Sequence, residues 1–511
     1  MLALLPIIIG FPGCNGRKNH QFFGANPRAI GAINAVDGSL ACWGTSSLGA
    51  NADCPSDSGY TALFGSQLGM CAIKSDGSIV SWGDAALSSY PTDAGYVDVI
   101  VGHGIFTAIK SDGGLATWPS YNQAQNTPPA DSGYEKVFSS WYGGFAALKS
   151  GSLTCWGHIS YGGEPSTCPP GTNYVNVFTN YGAMVALDSN GALTAWGNTD
   201  DGATGEPTDT GYVDVATTWH AFAALKPDGS IFAWGSSGTG GSGFPTDSGY
   251  VDLFTTIYAF AARKADGTVF CWGDDSYGGS SSEPGGSGWA LLYSIKDTFA
   301  AIHNDGSIHA WGGTGGTGFP TDSGYMRMYT TEWAFLAERT DGTFACWGDG
   351  SYGCQSVPTD GGYTYIASTW SAFVGRKDDG SLTAWGVTGE GGSGAPSGSG
   401  WDLPFSYHSE QNPAPSPPSP VLPPLTAAPS ALPSAAPSAV PSVTPSAIPS
   451  AAPSAAPSAA PSVTPSAVPS AAPSAAPSAY YGKVLEDPHM TDGRGGRFDF
   501  KGKDLVVYTT S

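Results

Sequence analysis

Between residues 211 and 249 apolar and polar side chains follow one another in three short runs. Tyr212-Val-Asp-Val-Ala-Thr-Thr218 alternates, the two-residue period of a strand with one buried face. Phe222-Ala-Ala-Leu-Lys226 is more continuously apolar and predicts a strand buried on both faces; Ser230-Ile-Phe-Ala-Trp234 predicts a third. Asp228-Gly229 between the last two predicts a two-residue type I′ hairpin, because Asp and Gly tolerate the positive φ values that turn needs. A Gly/Ser loop and Pro245-Thr-Asp-Ser-Gly249 then lead into the next Tyr. The expected unit is a three-stranded antiparallel meander with a buried Trp near its end.

The unit recurs. Trp-Gly stands at Trp43, Trp82, Trp156, Trp196, Trp234, Trp272, Trp311, Trp347 and Trp385, and Trp118-Pro119 fills the one gap, at spacings of 36 to 40 residues. Asp-Gly marks the turn at Asp37, Asp76, Asp112, Asp228, Asp266, Asp305, Asp341 and Asp379, with Asn190-Gly191 and Ser150-Gly151 in the other two units. Such a period signals a solenoid or propeller, since one meander cannot bury both its faces and must stack on its neighbours. Ten units exceed the usual four to eight or so blades. One ring of ten, a ring of seven with extra units, and an open array are all compatible with the count. Gly400-Trp-Asp-Leu403 matches only the first strand of a unit, while the first unit begins poorly near His20. A late strand completing a defective first blade closes a ring, so the expected fold is all-β: a propeller-like array of ten three-stranded units over residues 20–408, a closed ring being favoured over a solenoid and the number of units in it left open.

The consensus Tyr-Val-Asp-Val…Phe-Ala-Ala-Leu-Lys-x-Asp-Gly-Ser-Ile-x-Ala-Trp-Gly resembles the repeat of the regulator of chromosome condensation and β-lactamase-inhibitor protein II superfamily. A period near 38 with three strands per blade is closer to the inhibitor branch. The resemblance implies a propeller; it does not fix a function, because one fold hosts many. In the inhibitor branch the loops between the first and second strands form the face that grips a partner protein.

Composition narrows the class. Gly 73 and Pro 40 of 511 residues, with only 12 % charged and 12 % aromatic, disfavour a helical protein and a fully disordered one. Net charge is −22, all of it within residues 1–410, which disfavours nucleic acid and anionic membranes as partners. That balance also counts against the alternative reading, a chromatin or small-GTPase regulator, since nucleosome binding needs a basic face. A structural cell-wall or matrix component is a third reading. No run of about 18 apolar residues occurs, so no membrane span is expected. Residues 1–19 are a candidate leader: Met1–Ile9 is apolar, but no Lys or Arg precedes it, and a misassigned start is the alternative. Residues 409–480 carry proline every fourth position from Pro429 to Pro477, which reads as a disordered Pro/Ser/Ala-rich linker: a polyproline-II-like spacer, a glycosylated stalk, or a naked flexible linker. Residues 481–511, with Glu486-Asp-Pro-His-Met490 and Arg497-Phe-Asp-Phe-Lys-Gly502, resemble the opening of a von Willebrand factor type D domain.

Cys42, Cys155 and Cys346 directly precede a core Trp, and Cys54, Cys168 and Cys354 sit in the loops that follow. This shared phase predicts the pairs Cys42–Cys54, Cys155–Cys168 and Cys346–Cys354, an oxidising compartment, and an extracellular or cell-surface protein. Cys71 and Cys271 read as small buried thiols. Gly238-x-Gly240-x-x-Gly243, Gly313-x-Gly315-x-x-Gly318 and Gly389-x-Gly391-x-x-Gly394 match a dinucleotide fingerprint as strings, but none precedes a helix, so no nucleotide site is expected. His103 and His220 read as solvated or edge histidines. The acids of Pro-x-Asp-x-Gly (Asp57, Asp93, Asp131, Asp209, Asp247, Asp322, Asp360) read as turn caps rather than calcium ligands, which need about six to eight converging oxygens. No nucleophile–base pair, metal site or cofactor is expected, and no enzymatic activity.

One position points to function. The loop between the first and second strands carries Trp141, Tyr142, Tyr181, Trp219, Tyr258, Trp333 and Trp370, whereas other units hold Gln67-Leu68, His103-Gly104 or Lys296-Asp297 there. Rings that a fold tolerates losing, and that are costly to expose, suggest a binding face. Packing between blades is the competing reading at each. The expected protein is a monomer that binds a protein or glycan.

Overall fold

Every Trp-Gly unit forms a three-stranded antiparallel sheet in the computed structural model, which describes residues 28–50, 54–102, 104–119, 127–280 and 283–403, and the strand pair His489–Thr491 with Arg497–Asp499. The leader at 1–19, the spacer at 409–480, most of 481–511 and His103 lie outside the described residues. In blade 6 the strands are Asp214–Thr217, Ala221–Leu225 and Ile231–Gly235, in that order across the sheet. The first strands of successive blades approach one another and the third strands do not, so the first strand is innermost.

The array closes as one ring of ten. Trp401–Asp402 pairs antiparallel with Ala29–Asn34, which also pairs with Leu40–Gly44, so blade 1 takes its innermost strand from the far end of the repeats. A hydrophobic cluster lies between every neighbouring pair of blades, including Ile30, Ala32 and Trp43 of blade 1 against Ala367 and Val374 of blade 10. The repeated tryptophan explains this packing. In blades 3, 4 and 6 to 10 its indole stacks on the phenylalanine of the middle strand, as Trp234 does on Phe222 at 5.3 Å, and in six blades its N–H donates to a glycine carbonyl of the preceding blade's loop. Trp82, Trp196, Trp234, Trp272 and Trp347 make that bond at 2.8–3.1 Å. Trp43 makes the same bond to Gly391, 348 residues away, across the seam. The glycines that looked like a nucleotide fingerprint are therefore acceptors for the core: Gly240 takes Trp272 and Gly315 takes Trp347.

The hairpin differs from expectation. At Asp228-Gly229 only the glycine has positive φ (80°), the Gly229 N–H donates to Lys226 and the Lys226 N–H to Ser230. The connection is a three-residue loop, a turn ending in a left-handed glycine, and Asp228 accepts the Ser230 N–H at 2.9 Å. The carboxylate is chosen for that bond, not for tolerance of positive φ. Ser150-Gly151, one residue shorter, has both residues at positive φ (48° and 78°) and forms the two-residue type I′ turn between the paired Lys149 and Ser152.

Candidate functional site

The turns between innermost and middle strands gather at one end of the ring, and two sets of bonds fix them. The residue opening the turn (Ser140, Asn180, Thr218, Thr256, Thr331 or Thr369) donates from its side chain to a carbonyl 21 residues later, at 2.7–3.0 Å. A small polar side chain thus pins each turn to its blade's outer loop. Turns of adjacent blades are then joined through the backbone. Trp141 N–H donates to Asn180, Tyr181 to Trp219, Trp219 to Ile257, Ile257 to Lys296, Lys296 to Glu332 and Glu332 to Trp370, at 3.0–3.3 Å.

This relay divides the predicted aromatics into two rows. Trp141, Tyr181, Trp219 and Trp370 belong to the relay, as do Ile257, Lys296 and Glu332. Tyr258 and Trp333 occupy the next position along the turn, and Tyr142 is an extra residue of blade 4, whose turn is one residue longer. Side chains of this second row meet a residue about 19 positions later in the outer loop. Tyr258 meets Tyr277 (centroids 4.6 Å apart), Trp333 meets Tyr352 (6.1 Å), and Tyr142 meets Tyr161 (4.8 Å). The regularity is visible in the sequence as a separation, and single-strand periodicity misses it.

Blades 4 to 7 join these pairs into a continuous run of rings. Tyr142 lies 4.7 Å from Tyr181, with the two hydroxyls 2.6 Å apart. Tyr181 stacks on Trp219 at 5.2 Å, Trp219 meets Tyr258 edge-on at 5.8 Å, and Trp141 lies 6.5 Å from Trp219. His220, read from sequence as an edge histidine, sits inside the run between Tyr181 (5.3 Å) and Tyr258 (5.9 Å, stacked). Its Nδ1 bonds Asp201, a buried carboxylate. All these rings are half-buried except Tyr142, which is exposed.

Blades 8 to 10 carry charge in the same places. Lys296 lies 4.3 Å above the Trp333 ring and 3.0 Å from Glu332, whose carboxyl is pushed up by burial. Asp297 is buried and accepts from Thr314 through N–H and hydroxyl at 2.9 and 2.8 Å. Glu390 accepts from Ser371 and pairs with Arg28 at 3.3 Å. Trp370 therefore stands in an ionic sector, apart from the run in blades 4–7.

The opposite end of the ring holds the Pro-x-Asp-x-Gly acids, and their role is not turn capping. Each takes the hydroxyl of the tyrosine three residues on and a cation from the end of the middle strand: Asp247 with Tyr250 and Lys264, Asp360 with Tyr363 and Lys377, Asp322 with Tyr325 and Arg339. Asp57, Asp93, Asp131 and Asp209 repeat the arrangement. The cation also lies over the tyrosine ring, 4.8 Å away for Lys264 on Tyr250. Both oxygens of each carboxylate are committed within the blade, and these bonds hold the carboxyls below their usual range. All three predicted disulfides are formed, and Cys71 and Cys271 are buried thiols.

No protein-family model matches the chain, and no curated protein matches it. Solved structures with similar repeated sheets include the ectodomain of the Physcomitrella patens receptor kinase CR4, at 16 % identity over 50 % of this chain and 74 % of that one, with a TM-score of 0.33. The CRINKLY WD40 ectodomain of the Arabidopsis thaliana receptor kinase ACR4 is similar at 19 % identity over 50 % and 93 %, TM-score 0.31. Prp20p from Saccharomyces cerevisiae is similar at 14 % identity over 72 % and 82 %, TM-score 0.29.

Proposed function

We propose that this chain is a non-enzymatic, extracellular binding protein that recognises a protein or glycan through the inner-turn face of blades 4 to 7. The observation that carries the reading is the run of rings itself. Tyr142, Tyr181, Trp219, His220 and Tyr258 make one half-buried strip across four successive blades. The same turn is built in blade 8 with Lys296-Asp297 and in blade 2 with Gln67-Leu68. The backbone thus folds without the aromatics, which supports a use for them in recognition. Three disulfides support an oxidising location. The acidic charge favours an uncharged or basic ligand over a polyanion. Among the described residues no helix is long and apolar enough to cross a membrane.

A combined glycan and protein array, read with Trp219→Ala, Trp333→Ala and Trp234→Ala, tests the reading. Trp219→Ala is expected to abolish the captured ligand and keep the melting temperature, whereas Trp234→Ala, in the core, lowers it. If Trp219→Ala melts as early as Trp234→Ala, the rings are packing and the face is not a binding face.

A further inference from the structure

We infer that the strip takes an uncharged, linear oligosaccharide, with the Asp201–His220 pair as its polar contact. This deepens the preceding reading and rests on it. The pair is set apart from the packing of its neighbours. The outer-loop position that meets the second row carries Tyr161, Thr239, Tyr277 and Tyr352 in other blades, Glu390 bonded to Ser371 of its own blade in blade 10, and Asp201 in blade 5. Its own blade offers it no partner in that row, because Gly182 stands there. A Cβ on Gly182 would lie 2.3 Å from Asp201 Oδ2 and 2.5 Å from the Tyr161 ring. Absence of that carbon lets Asp201 fill the space and reach across to His220 of blade 6.

Burying a carboxylate is expensive unless it is fully bonded. Asp201 is only 3 % exposed, and its Oδ2 has no hydrogen-bond partner. The ring does not require such a residue, since Thr239 serves at the same place one blade on. What Asp201 does supply is a fixed histidine. With Asp201 as the acceptor, Nδ1 of His220 is the donor and Nε2 stays outside that bond, an acceptor in the neutral ring. A hydroxyl donor is the complement of that atom. Beside the imidazole stand the rings of Tyr181, Trp219 and Tyr258, with Tyr142 next to Tyr181. Sugars match this chemistry, with apolar C–H faces for the rings and hydroxyl edges for imidazole and phenol. The rings follow one another over four blades, which fits several linked residues better than one. An acidic glycan would be opposed by the net charge of −22.

The test uses the full chain on immobilised gluco-, manno-, xylo- and N-acetylglucosamine oligosaccharides of increasing length, with heparin and hyaluronan as acidic controls. At least one neutral series is expected to bind, more tightly as it lengthens. Trp219→Ala should weaken it about tenfold or more. Asp201→Asn should weaken it several-fold without lowering the melting temperature, and His220→Gln, which keeps an acceptor, should retain more than His220→Ala. Binding of the acidic controls alone overturns the inference, as does neutral binding indifferent to both Asp201→Asn and His220→Ala. A protein captured on an array through Trp219, with no neutral glycan bound, would sink the glycan inference and leave the binding face standing. No ligand dependent on Trp219 would sink both.

Discussion

Gly182 and Trp234 show how differently single residues carry this molecule. Gly182 matters for the space it leaves, so Gly182→Ala should push Asp201 off His220 and cost about 1–3 kcal/mol, as overpacking generally does. Calorimetry checks the stability, and the His220 imidazole resonances should change with it. Trp234→Ala removes an indole that stacks on Phe222 and bonds Gly202 of the neighbouring blade; about 3–5 kcal/mol is expected from thermal melting. The core tryptophans were legible in sequence because their period is regular and their neighbours apolar. His220 was not, since nothing local distinguishes a solvated histidine from one held by a carboxylate 19 residues earlier. Nor could the sequence separate the relay residues Trp219 and Trp370 from Tyr258 and Trp333. That distinction lies in which residue's backbone group, N–H or carbonyl, bonds to the neighbouring blade's turn.

At the scale of strands and loops, seven of the blades carry an ionic cluster at the end opposite the inner turns. The Asp–Tyr–cation clusters sit at the entrance to the innermost strand, their carboxylates more than half exposed, so each should contribute little alone. Together they set the response to acid. Cation and tyrosine bonds lower the folded carboxyl values, the hairpin acids are lowered by the N–H groups they accept, and Asp305 reaches about 2. The unfolded chain therefore binds more protons below the usual Asp value of about 4, so stability is full above that pH and is lost from there toward about 2. Glu332 runs the other way, its raised carboxyl favouring the fold at lower pH, but it is one group against many. Melting temperatures between pH 2 and 7 should be nearly level above about 4.5 and fall below about 4; a fall beginning near neutrality would contradict this account. Peptide mapping without reductant should recover Cys42–Cys54, Cys155–Cys168 and Cys346–Cys354 linked, with Cys71 and Cys271 unreactive until unfolding.

The whole ring depends on its seam. Ten near-identical interfaces make the array close to one-dimensional, each blade touching only its neighbours, and the tenth contact exists because Trp401–Asp402 supplies the strand that blade 1 lacks. A chain ending at Gly400 loses that strand and Leu403 from the seam cluster, and exposes the inner edge of Ala29–Asn34. It should melt earlier and in a broader transition than the full chain, while keeping most of its far-ultraviolet circular dichroism. Unchanged melting would mean that the seam is not closed in solution. Sequence alone raised closure through the solitary Gly400-Trp-Asp-Leu403, and left the number of blades in the ring open. Blade count follows from how each interface is angled, and that angle is set by packing between units rather than within one.

Completion of blade 1 from both ends of the repeats also imposes an order of events during synthesis. Hairpins within a blade join residues a few positions apart, and blades 2 to 10 can each form as soon as their own residues are made. Blade 1 cannot, for its innermost strand is translated after those of all the other blades. Joining Trp43 to Gly391 closes a loop of 348 residues. By the slow logarithmic growth of loop entropy this costs about 2 kcal/mol more than closing a single repeat. During elongation the nascent chain therefore carries an unfinished sheet edge at its front, open to pairing with another copy. Late provision of Trp401 and Asp402 makes the finishing step local to one molecule only if that edge has been kept apart from other chains until then.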